Sequence, residues 1–151
     1  MLAKVNYYEK NFESALREIE LILKKDANHV GALYWKARIA VVRPSEKSAD
    51  TEAIALLLRI IELDTHHIPA RSLLGLLYEK NHKYHEALHE YRAILSEEES
   101  LIDARANLGV LYHRLGLKDK ALSELDRAIA FARTGGHSDT RLISLRKEMA
   151  E

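Results

Sequence analysis

Two stretches of the chain repeat each other at a spacing of 34 residues. Ala70-x-x-x-Leu74-Gly75-x-x-Tyr78 is matched by Ala104-x-x-x-Leu108-Gly109-x-x-Tyr112, and the register runs on without a gap through Ala87/Ala121, Leu88/Leu122, Tyr91/Leu125 and Leu95/Ile129. A short supersecondary unit of this size cannot bury its own apolar face. Copies must stack on one another to make a continuous core. The composition suits that outcome. Of 151 residues, 47% are apolar and 30% charged, with only six Gly and two Pro. Disorder would need fewer apolar residues, and an all-β fold more turn residues.

Each copy reads as two helices. In the second half of each copy apolar residues recur three, four and seven apart, which places them on one stripe of a helix. Turn signals fall between the helices at Asn81-His82, Leu115-Gly116 and Gly135-Gly136. Pro69 stands near a helix start, where its missing N–H is not needed. Ser100 with Asp103 three residues later has the pattern of a capping box. Gly75 and Gly109 each cost about 1 kcal/mol against Ala inside a helix. Close approach of the partner helix of the same copy would offset that cost.

The template extends upstream. Leu2-Ala3, Phe12, Ala15, Leu16, Ile19, Ile22 and Leu23 fit a first copy whose opening helix is short. Ala32, Ala37 and Ala40 fit a second opening helix, and Ala53, Ile54, Leu57, Ile60 and Ile61 its closing helix. That copy carries four extra residues in its inner turn, around Pro44. The expected copies are 1–29, 30–67, 68–101 and 102–135. A last amphipathic helix over 138–151, with Leu142, Ile143 and Leu145 as its apolar members, would cap the array. The short opening of the first copy suggests either an incomplete repeat or a chain trimmed from a longer one.

The pattern small-x-x-x-Leu-Gly-x-x-Tyr, then a turn, an aromatic, Ala-Leu and a later aromatic or Leu, resembles the tetratricopeptide repeat, whose period is 34. The resemblance covers roughly residues 1–134. It departs from the family at Lys36, where Leu is usual, and at the repeat ends, where Ala27, Thr65, Glu99 and Arg133 replace a frequent Pro. It implies an all-α fold: an α-solenoid of tandem helix-turn-helix repeats winding as a right-handed superhelix, with opening helices on the concave side. Carried over position by position, the groove would take Lys4, Tyr7 and Tyr8 from the first copy and Tyr34, Arg38, Val41 and Val42 from the second. The third would give Ser72, Leu76, Glu79 and Lys80, and the fourth Ala106, Val110, His113 and Arg114. Tyr and Arg are frequent interface anchors, and a peptide or helix is the ligand such a groove suits. Trp35 reads as core or junction packing. Some family members clamp a chaperone's terminal carboxylate. The corresponding positions here hold Tyr34, Arg38, Leu73, Pro69 and Asn107, which do not make that clamp.

Charge narrows the partners. Lys plus Arg number 23, as do Asp plus Glu, and the two signs alternate along the chain. That leaves no basic excess for phosphate backbones, so nucleic acid is not the expected partner. There is no Cys, which excludes disulfides and thiolate metal sites. The longest apolar run, Ala53–Leu58, is too short to enter a bilayer as a span. Lys4, Glu9 and Lys10 do not suit a signal peptide, so the cytoplasm is the default compartment.

One further motif competes with the repeat. His85-Glu86-Ala87-Leu88-His89 matches H-E-x-x-H, whose spacing puts two imidazoles on one helix face with a Glu beside them, as in zinc peptidases. Ala87 and Leu88 already have a repeat explanation, and no third ligand follows from the sequence. The expected protein is therefore an interaction module that binds another protein, without catalysis, cofactor or metal. A self-assembling scaffold is the alternative, and a zinc peptidase a distant one.

Overall fold

The computed structural model describes residues 11–42 and 49–151. The expected groove residues Lys4, Tyr7 and Tyr8, and the inner loop around Pro44, lie outside the described residues. Eight helices make up that part: α1 (Phe12–Lys25), α2 (Val30–Val42), α3 (Ala49–Leu63), α4 (Ile68–Lys80), α5 (Tyr84–Glu97), α6 (Ile102–Arg114), α7 (Lys118–Thr134) and α8 (Thr140–Ala150). No strand occurs among the described residues. The chain forms two compact units, one ending at Leu74 and the other beginning at Gly75.

In the first unit α1 packs on α2, and α2 on α3. Ala15 and Ile19 of α1 are buried with Ala32 and Ile39 of α2, and Phe12, Leu16, Ile22, Leu23 and Trp35 pack around them. Ala53, Leu57 and Ile60 form the buried stripe of α3 at the expected three- and four-residue spacing. In the second unit α5, α6, α7 and α8 pack each on the next.

Gly75 and Gly109 sit where two helices meet. A Cβ on Gly75 would lie 2.7 Å from Tyr91 Cε1, and one on Gly109 would lie 3.1 Å from Leu125 Cγ and 3.2 Å from the Ala121 carbonyl oxygen. Both contacts reach the closing helix of the same pair. The absent side chain is thus what lets each pair close up.

The sequence reading needs correcting at the start of α6 and on the buried face of α8. The capping box at Ser100 does not form. Leu101 is the N-cap of α6 and no side chain bonds there. The helix begins one residue too late for the Ser100 hydroxyl to reach its third N–H. Histidine does the capping elsewhere: the Ala32 amide donates to His29 Nδ1 and the Ala70 amide to His67 Nδ1, each at 3.0 Å. In α8 the buried residues are Leu142 and Met149, seven apart, while Ile143 is 42% exposed. Leu142 joins Ala128, Ile129 and Ala132 of α7, with Ile102 and Ala106 packed against them. Ala106, expected in a groove, therefore serves this cluster.

Repeat junctions carry an arginine fork that the sequence reading missed. Arg71 Nε and Nη2 donate to the Thr65 carbonyl at 3.0 and 2.9 Å. Arg105 Nε and Nη2 donate to the Glu99 carbonyl at 3.2 and 2.7 Å. The two arginines are 34 residues apart, and their acceptors occupy the positions where the tetratricopeptide pattern usually has Pro. A hydrogen-bonded fork holds the turn that a pyrrolidine ring would otherwise restrict. Arg105 is buried and completes its shell with Glu124 Oε2 at 2.6 Å.

Candidate functional site

The expected groove residues fall on the opening helices α2, α4 and α6, and each unit presents its own set. In the first unit, Tyr34 and Arg38 stand one turn apart on α2 and both are half-buried. The Tyr34 ring lies 5.3 Å from that of His67 and edge-on to Trp35 at 6.3 Å. Arg38 extends over Trp35, 4.5 Å from the ring centroid. Stacking of this kind holds a guanidinium in place. Val41 is half-buried and Val42 is 47% exposed at the end of the helix. Trp35 packs against the Ala15–Ile39 core while forming the floor under Arg38. Ser72, on α4, is half-buried.

In the second unit Leu76 is 48% exposed, large for an apolar side chain within a helix. Glu79, one turn on, is buried, and its carboxylate is shared. Tyr91 Oη donates to Oε1 at 2.6 Å, and Arg114 Nη1 lies 3.4 Å from Oε2. The same Tyr91 ring rests against Gly75. A missing side chain on α4 therefore places a phenol of α5, which fixes a carboxylate back on α4, which in turn pairs with α6. Glu79 is a positioned acid with its partners in the protein. The Tyr91 phenol is pushed well above its usual range, first by burial and then by its bond to Glu79 and that residue's negative charge. Tyr78 is raised too, by burial and by Glu90 and Glu86.

The Glu79–Arg114 pair ties matching ends of α4 and α6 together. Leu76 and Lys80 share the face of α4 that carries Glu79. Val110, His113 and Arg114 share a face of α6, with Val110 half-buried and His113 and Arg114 exposed. The surface this makes is apolar toward the helix starts and charged toward the ends.

His85 and His89 lie on α5, exposed, while the intervening Ala87 and Leu88 are buried. No group of three His, Cys, Asp or Glu side chains suited to a metal ion occurs among the described residues. No helix among the described residues is long and apolar enough to cross a membrane.

Helical hairpins in tandem, their opening helices starting at Val30, Ile68 and Ile102, define the class: an all-α tandem repeat protein. Residues 72–136 match the model of the tetratricopeptide repeat family. Solved structures share the fold. A crystal structure of MamA protein is 22% identical over 98% of this chain and 78% of that one, with a TM-score of 0.78. TTC0263, a thermophilic tetratricopeptide-repeat protein in Thermus thermophilus, is 17% identical over 99% of this chain and 78% of that one, also at 0.78. YrrB, a tetratricopeptide-repeat protein with an unusual peptide-binding site, is 23% identical over 97% of this chain and 88% of that one, at 0.58. No curated protein matches the chain in sequence.

Proposed function

We propose that this chain is a binding module that holds a peptide or helical segment of another protein against the exposed faces of its opening helices. The fold points to protein–protein interaction in general. The observation that carries the finer reading is the state of the opening-helix side chains. Leu76 is half-exposed beside the fixed Glu79–Arg114 pair, and Arg38 is stacked on Trp35 with Tyr34 alongside. Apolar area next to pre-positioned polar groups is what a binding surface needs, because little side-chain freedom is then lost on association. The neighbour described by its peptide-binding site has the same fold, which agrees with this reading.

The test is a paired capture from source lysate with the wild type and a Tyr34→Ala/Arg38→Glu variant that melts like it. The reading expects a partner kept by the wild type and lost by the variant. A Leu76→Lys variant examines the second unit in the same way. A partner retained equally by all three would place binding elsewhere on the molecule and reject the opening-helix surface.

A further inference from the structure

We propose that His85 and His89 chelate a borderline divalent cation, zinc(II) in the first instance, as a two-histidine site on the outer face of α5. The site is separate from the surface proposed above and requires no catalysis. Two histidines four apart on a helix lie one above the other, which suits joint ligation of one ion. Both are exposed and line one shallow groove with Leu88, Arg92, Ala93 and Ser96, about 390 Å³ in volume. The helix beneath them is held by buried Ala87, Leu88 and Tyr91, so the shared face is fixed by packing.

Two further observations bear on ligand chemistry. His89 Nδ1 lies 3.1 Å from Glu90 Oε1, and Glu90 is buried. That contact suits the tautomer in which Nδ1–H donates to the carboxylate, which turns Nε2 outward with a lone pair for a metal. A histidine oriented by a carboxylate in this way is the usual outer-shell arrangement of metal-binding imidazoles, and it raises ligand basicity. The arginine that shares this groove is engaged by a tyrosine. Arg92 Nη2 donates to Tyr112 Oη at 2.8 Å, and its guanidinium lies 5.8 Å from the Tyr112 ring centroid. Two protein donors leave the remaining positions of a tetrahedral ion to water or to a ligand from outside.

Calorimetric titration of the tag-free chain with zinc chloride at about pH 7.5, in a non-coordinating buffer, tests this. One ion per chain is expected. Its affinity should fall at least about tenfold in His85→Asn and in His89→Asn, and by roughly tenfold in Glu90→Gln. Zinc should raise the melting temperature of the wild type and not that of the two histidine variants. A His66→Asn/His113→Asn control should bind like the wild type. Absence of saturable binding, or an unchanged affinity in either histidine variant, would overturn the site. Should Glu90→Gln keep its fold by circular dichroism and bind zinc as tightly, the orienting role of Glu90 would fail.

Discussion

Among single residues, Gly75 and Tyr91 show how one absent side chain organises its surroundings. Ala is the better helix former by about 1 kcal/mol, so Gly→Ala in a helix ordinarily stabilises. At Gly75 the new methyl would meet the Tyr91 ring at 2.7 Å, and that ring is tethered by its bond to Glu79. Overpacking of this kind costs about 1–3 kcal/mol. Gly75→Ala should therefore destabilise, and urea unfolding reads the sign directly. The Tyr91 bond also sets a pH dependence. Its phenol is raised above the usual value of about 10 because the fold favours the neutral form. The stability it contributes is complete below that value. It is lost as pH climbs beyond about 10 toward the folded-state value, since the unfolded chain ionises first. Absorbance titration of the phenols should show Tyr78 and Tyr91 ionising above the usual tyrosine range. Tyr91→Phe should remove the Tyr91 contribution and cost about 1.5–3 kcal/mol at neutral pH. The glycines and the Ala positions were legible in the sequence because a period of 34 exposes them twice. The Tyr91–Glu79–Arg114 chain was not legible, since it depends on distances across three helices that no spacing reports.

Among the helices and turns, helix ends decide most of what the sequence left open. His82 and Gly116 occupy matching positions, and both take positive φ, 58° and 73°. In each turn the following amide bonds back to the tyrosine five residues before it, Lys83 to Tyr78 at 2.8 Å and Leu117 to Tyr112 at 2.9 Å. This is the left-handed helix terminus that glycine enters freely and other residues enter at a cost of about 1–2 kcal/mol. His82→Gly should raise stability by about 1 kcal/mol and Gly116→Ala should lower it by a similar amount, as chemical denaturation would show. Turn locations were readable from Asn81-His82 and Leu115-Gly116. The caps were not: imidazoles at His29 and His67 stand where Ser, Thr, Asp or Asn are usual. Ser100 matched the pattern one residue away from where the helix starts. The arginine forks at Arg71 and Arg105 could have been found, because both follow the repeat's Ala and share its 34-residue spacing.

For the molecule as a whole, the period predicts a succession of hairpins, and the helices from Phe12 to Ala150 follow one another along the chain in that order. In repeat arrays stability is roughly the sum of each repeat and its interfaces with neighbours, so local damage spreads only as far as the next interface. Surface chemistry is a different matter from fold. Periodicity says which helices open each hairpin. It does not say that Glu79 is buried against Tyr91 or that Arg38 lies flat on Trp35, because the repeat constrains packing positions and leaves the exposed ones free.

If the opening-helix faces hold the partner, binding must disturb those faces first. Amide chemical-shift mapping of the isotopically labelled chain, titrated with the segment it captures, observes this residue by residue. The perturbed amides should be those of Tyr34, Arg38 and Val41 in the first unit and of Leu76, Val110, His113 and Arg114 in the second. Those of the outer faces of α5 and α7, such as His89 and Ser123, should stay in place. Shifts concentrated on α5 and α7, with α2, α4 and α6 unmoved, would show that the partner is held elsewhere.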